Sequence, residues 1–162
     1  MLNNAHNLKL LYISKYVLPF DTNGVGTRGF HLVREISKYN IHTTIITSDS
    51  NHLGKTPELK NSFLYEKTSN VNFYWLKTLK YKKTKSIKRI LSWIDFEIRL
   101  FQFICFRKKI RKPDIIIVSS LSLLTVISGL ILKLFFKSKI VFEVRDIWPL
   151  TLIEEGGYSK FN

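Results

Sequence analysis

The charged residues best placed to do chemistry stand together near the carboxyl end of the chain: Glu143, Arg145 and Asp146. They close an apolar run, Ile140-Val141-Phe142-Glu143-Val144, and so fall at the end of a strand. Glu143 and Arg145 alternate with Phe142 and Val144, which puts the charged pair on one side of the backbone. Charges at a buried strand end are costly unless they are paired or used. Two readings are open. Arg145 forms a stabilising pair with Glu143 or Asp146, or the three residues edge a site. Arg145 is always protonated, so it cannot be a general base; it can orient a hydroxyl or a phosphate. Trp148 and Pro149, which follow, fit either a site wall or a plug in the core.

A second stretch with chemical potential is Gly24-Val25-Gly26-Thr27-Arg28-Gly29, a literal G-x-G-x-x-G. Small residues let a backbone come close to an anion, and the first N–H groups of a helix lack intrahelical partners. Asp49 stands twenty residues after Gly29, the spacing of a ribose-binding acid in a dinucleotide fold. In that fold, however, the first glycine follows the strand almost at once. Here residues 15–23 intervene, with Pro19 among them. Such an excursion makes a wider lip, suited to closing over a ligand held from elsewhere. The histidines His6, His31, His42 and His52 have no companions at metal-ligand spacing, so no metal site is read and no cofactor is called for.

The elements that must position these residues follow from periodicity. Residues 8–14 read as a buried strand, and a helix starts near Thr27, a plausible N-cap, and ends near Tyr39. Residues 43–47 are β-branched throughout and form a second strand. Residues 48–60 are a polar loop, and residues 71–76 a shorter strand. A basic linker, 81–85, leads into one long helix over 87–110. Residues 114–118 are a parallel-type strand, Ser119 and Ser120 a turn and cap, 121–136 a helix with the character of a core helix, and 139–144 the last strand. The order β-α-β-β-α-β-α-β implies one α/β domain: a Rossmann-like, mainly parallel sheet with helices on both faces.

The chain has 26 Lys and Arg against 12 acids, a net charge of +14. Residues 77–112 hold 13 of those cations and two acids, Asp95 and Glu97. Such a segment seeks a polyanion, or it is the solvated face of a Lys-rich sequence. The long helix carries two apolar stripes: Ile87, Ile90, Leu91, Ile94, Ile98, Phe101 and Cys105, and Trp93, Phe96, Leu100, Phe103 and Phe106. A helix apolar on more than one face needs a second apolar surface. Lys82, Lys83 and Lys85 precede it and Arg107, Lys108 and Lys109 follow it, which suits the anionic face of a membrane met by Trp93 and Phe96. The rival is burial against other helices or a partner domain. No nucleic-acid motif is present, and no nucleic-acid partner is expected. A lone Cys105 excludes an internal disulfide, and the polar start of the chain does not read as a signal peptide.

Gly24-Val25-Gly26-Thr27-Arg28, Ile45-Ile46-Thr47-Ser48 and Val141-Phe142-Glu143-Val144-Arg145-Asp146-Ile147-Trp148-Pro149 together resemble the N-terminal half of a GT-B glycosyltransferase. The likeness is to the family-4 sugar transferases of bacterial surface-polysaccharide assembly and spans about residues 8 to 160. It implies an acceptor-side domain facing a donor domain across a cleft. It also implies sugar transfer from a nucleotide-diphosphate sugar to a lipid-linked glycan, at the inner face of the cell membrane. Gly24, Val25, Gly26, Thr27 and Arg28 would lie beside the donor diphosphate, and Glu143, Arg145 and Asp146 would be the catalytic residues. Many relatives carry a His where this chain has Arg145. The donor domain and its acid-rich motif are not found in these residues, so the chain by itself is expected to be inactive. The alternatives are a dinucleotide-binding Rossmann enzyme using Asp49 and a non-catalytic membrane-binding module.

Overall fold

In a computed structural model of the chain, the structure describes residues 8–20, 26–51, 54–81, 87–107, 110–120 and 123–145, apart from the side chains at positions 106, 107, 120 and 123. The strands are β1 (Lys9–Ile13), β2 (His42–Ser48), β3 (Phe63–Thr68), β4 (Val71–Leu76), β5 (Ile115–Ser120) and β6 (Lys139–Val144). The helices are α1 (Arg28–Ser37), α2 (Ile87–Arg107) and α3 (Leu123–Phe136). The strands form one sheet in the order β3-β4-β2-β1-β5-β6. All neighbours are parallel except β3 and β4. This is the expected Rossmann-like α/β architecture. The chain winds one way from β1 through β2 to β4, then crosses back over β1 to β5, so the topological switch point lies between β1 and β5.

Alternation along the strands sorts the side chains into two cores. Leu10, Tyr12, Ile45, Phe73, Trp75 and Ile117 face α1 and meet Phe30 and Val33. Leu11, Ile13, Ile46, Leu76, Ile116 and Val118 face the other way and meet Phe96, Leu100 and Phe103 of α2 and Leu132 of α3. The stripe of α2 that contains Phe96 is therefore its inner face. The stripe Ile87, Ile90, Leu91, Ile94 and Ile98 is exposed. Among the described residues no helix is long and apolar enough to cross a membrane.

Three expectations are corrected. Phe63–Thr68, unassigned in the sequence reading, is an antiparallel strand. Ser69 and Asn70 both have positive φ, 49° and 63°, the twist of a two-residue primed hairpin turn. This edge strand buries little, so it has no strong apolar alternation to read. Ser119 and Ser120 are not a turn. They continue β5 and pair in register with Glu143 and Val144, because the backbone ladder does not require apolar side chains. Helix α3 is a core helix on one side only. Thr125, Ser128 and Leu132 are buried, whereas Ile127, Leu130, Ile131, Leu134 and Phe135 are exposed.

Candidate functional site

The carboxyl ends of β1, β5 and β6 meet the start of α1, and the side chains converge on Glu143. Tyr12 comes from β1 on the α1 side, and its phenol O–H donates to Glu143 Oε2 at 2.7 Å. Arg28, the first residue of α1, brings Nη2 to 3.2 Å from Oε1. That contact is an ion pair without hydrogen-bond alignment, and Oε1 is a buried acceptor with no hydrogen bond of its own. Burial above all, reinforced by the Glu143 carboxylate, holds the Tyr12 phenol well above its ordinary range; the nearby Ser119 hydroxyl pulls the other way. Tyr12 is accordingly a neutral donor at physiological pH, not a proton shuttle. Arg28 is 68 % exposed against 11 % for Glu143, so the guanidinium faces solvent while the acid it pairs with does not.

The lip that carries Arg28 is built by close contacts. A Cβ on Gly26 would lie 2.6 Å from the carbonyl oxygen of Pro19, and a backbone atom has little room to yield. A Cβ on Gly29 would lie 2.6 Å from the Tyr12 hydroxyl. Gly29 thus lets α1 sit directly on the tyrosine that holds Glu143. Thr27 occupies the N-cap position, but its side chain does not cap the helix. Its hydroxyl instead accepts the Leu18 N–H at 3.1 Å and donates to the Leu18 carbonyl at 3.3 Å, while its own N–H donates to the same carbonyl at 3.0 Å. The residues after β1 fold back as a wall, with Tyr16, Val17 and Leu18 buried.

Behind this wall, at the switch point, lies a polar cluster that sequence reasoning missed. Lys15 is only 5 % exposed. Its Nζ donates to Ser92 Oγ at 2.8 Å and Ser48 Oγ at 3.2 Å. Burial lowers its pKa to about 8, against the opposing pull of Asp49, Asp95 and Glu97. Glu97, on the inner face of α2, accepts the Thr125 hydroxyl at 2.6 Å and the Ser128 hydroxyl at 2.5 Å, tying α2 to α3. Burial raises its carboxyl pKa, although both hydroxyls favour the charged form. A cavity lined by Lys15, Trp93, Glu97, Ser119 and Thr125 leaves ≈ 10 Å³, the space of about one water. The sequence signals were present: a Tyr inside an apolar strand, and an acid between Phe96 and Leu100 on a buried helical face. Each needs a polar partner that only the tertiary fold supplies.

Glu143, Arg28, Thr27 and Gly26 are thus brought together, from stretches far apart in the chain. The ion-pair partner of Glu143 among the described residues is Arg28, not Arg145. Arg145 follows β6 and acts electrostatically on Tyr12. Gly24, Val25, Asp146, Trp148 and Pro149 lie outside the described residues. Asp49 is turned inward. It is 1 % exposed, and its Oδ1 accepts the Thr78 N–H at 2.8 Å, so it presents no carboxylate to a ribose.

The candidate membrane contacts separate. Phe96 is fully buried between α2 and the sheet and has no surface to offer, because it lies on the core-facing stripe. Trp93 is half-buried; its indole N–H donates to the Tyr16 hydroxyl at 2.8 Å, and Arg89 lies over its ring at 5.2 Å. Lys82, Lys83, Lys85, Lys108 and Lys109 lie outside the described residues, and Arg107 ends α2. The exposed apolar surface of α2 is the isoleucine stripe instead. The strand order and the parallel pairing define a Rossmann-like α/β domain. No protein-family model matches the chain, and no curated protein matches it.

Proposed function

We propose that this domain is the acceptor-binding half of a GT-B-type glycosyltransferase, which takes a lipid-linked glycan and receives a sugar from a nucleotide-diphosphate donor. The observation that carries the reading is the meeting of Arg28 and Glu143 at the carboxyl edge of the sheet, with Tyr12 holding Glu143. The resemblance draws on these two stretches separately, and an open α/β sheet binds ligands at this edge. In this scheme Glu143 Oε1, buried and without a hydrogen bond, accepts a hydroxyl of the acceptor sugar. Arg28 swings to the diphosphate, and the uncharged Gly26 leaves room for it. Negative charge gathers on the diphosphate as the glycosidic bond to the donor breaks, and a cation beside it lowers the cost.

Membrane association follows from the exposed face of α2. Ile87, Leu91, Ile94 and Ile98 form an apolar stripe on a helix in the most basic part of the chain. The protein would lie on the inner membrane surface through this stripe, not through Phe96. The test is a pair of titrations of the full chain, with a lipid-diphosphate-linked glycan in detergent micelles and with nucleotide sugars. Saturable binding of the first alone is the expected result. Binding of nucleotide sugars alone, or of neither, would overturn the assignment.

A further inference from the structure

A second concavity lies at the opposite edge of the sheet, where the parallel strands begin. Its volume is ≈ 250 Å³. Lys9 at the start of β1, His42 at the start of β2, Asn72 and Tyr74 from β4, and Arg111 from the connection between α2 and β5 line it. Among the described residues no carboxylate lines it. Asp114, the acid nearest in sequence, is engaged through Oδ2 by the backbone N–H of Lys9 at 2.8 Å.

The hydrogen bonds fix the state of the imidazole. Asn72 Oδ1 accepts the Tyr65 hydroxyl at 2.8 Å, and Nδ2 donates to the Thr43 carbonyl at 3.1 Å. These two bonds set the amide orientation. Asn72 Nδ2 then stands 3.3 Å from His42 Nε2 as a donor. His42 Nε2 therefore accepts, and Nδ1 carries the proton. The described lining of the groove thus includes an imidazole, a lysine and a guanidinium, and no carboxylate.

We propose that this groove is a binding site for a small phosphate-bearing anion, held by Arg111, Lys9 and the His42 imidazole. Two permanent cations match a phosphate monoester, which is largely a dianion at neutral pH, better than they match a single carboxylate. The volume suits a phosphate with a small substituent, not a whole nucleotide. Burial and then the charges of Arg111, Lys9 and Lys67 disfavour protonation of His42 in the empty groove. A bound dianion reverses the sign of that field. Tyr65 and Tyr74 are the other titratable groups nearby, and burial raises the Tyr74 phenol. The site is independent of the crevice at the carboxyl edge.

The histidine Cε1–H resonances of the full chain report on the site during titration with inorganic phosphate, against chloride at matched ionic strength. The His42 signal should shift saturably with phosphate only, and its pKa should rise by about one unit, while His31 on α1 stays still. Arg111→Gln, an exposed position that the fold tolerates, should weaken phosphate binding about tenfold; Arg111→Lys should retain most of it. Glycerol phosphate and vesicles of zwitterionic lipid with and without phosphatidic acid separate the sources. Broadening of His42 only by the acidic vesicles, reversed by inorganic phosphate, marks a lipid headgroup. A response to glycerol phosphate alone marks a soluble ligand. A linear His42 shift that chloride reproduces, or one unchanged in Arg111→Gln, overturns the proposal.

Discussion

The two ends of the sheet treat charge in opposite ways. At the carboxyl edge, buried charges are answered by hydroxyls: Glu143 by Tyr12, Glu97 by Thr125 and Ser128, Lys15 by Ser48 and Ser92. At the amino edge, Lys9, His42 and Arg111 line a groove with no acid among its described lining residues. A buried ion held by hydroxyls is rigid and preorganised, because its partners cannot leave without stranding it. An open cationic groove costs little to maintain and is balanced by whatever anion enters it. The carboxyl edge is therefore the more rigid of the two, and the amino edge the more open to an incoming anion.

The contrast breaks most sharply at Lys15. Its folded pKa, about 8, lies below the ordinary value of 10.5. Between those values the unfolded chain binds more protons, so stability rises with pH across that window; below pH 8 both states are protonated and the contribution is flat. Relative to Lys15→Met, the wild-type chain should gain about 3 kcal/mol from pH 8 to 10.5, read from urea unfolding at several pH values. Parallel curves would mean that Lys15 is not desolvated in the folded chain and that the contrast fails. Gly29→Ala comes next. The new methyl meets the Tyr12 hydroxyl, and the overpacking should cost about 2 kcal/mol in thermal or urea unfolding, where a surface Gly→Ala in a helix would stabilise.

Much of the fold was legible because the buried strands are short, β-branched and separated by helices. The two stripes on α2 were legible too, but not which of them faces the sheet. Both satisfy the helical period, and only packing against Leu11, Ile46 and Val118 selects the stripe of Phe96 and Leu100. Strand β3 escaped because an exposed edge carries no amphipathic pattern. In the candidate site, Arg28 and Glu143 stand out by charge and position, whereas the residues packed around them do not. Tyr12 reads as one more apolar strand residue, and Lys15 as the first residue of a loop. Their roles depend on contacts more than a hundred residues away in one case and 77 in the other, which no local period encodes.

Two smaller effects sharpen the account of the crevice. Tyr12→Phe removes the donor to Glu143 and should cost about 1.5 kcal/mol, the range for a hydrogen bond to a charged group. Arg28→Gln should change stability by less than about 0.5 kcal/mol, because an exposed ion pair contributes little. Denaturant midpoints separate the two. A large loss in Arg28→Gln would make that residue a structural strut and remove its freedom to meet a ligand.

The central claim is that Glu143 receives the acceptor. Titration of a lipid-diphosphate-linked glycan in micelles against the wild-type chain and Glu143→Gln tests it most directly, with circular dichroism confirming that the fold is retained. The account predicts an affinity about tenfold lower in the variant, since a buried charged acceptor is replaced by a neutral one. Equal affinities in two equally folded proteins would contradict it.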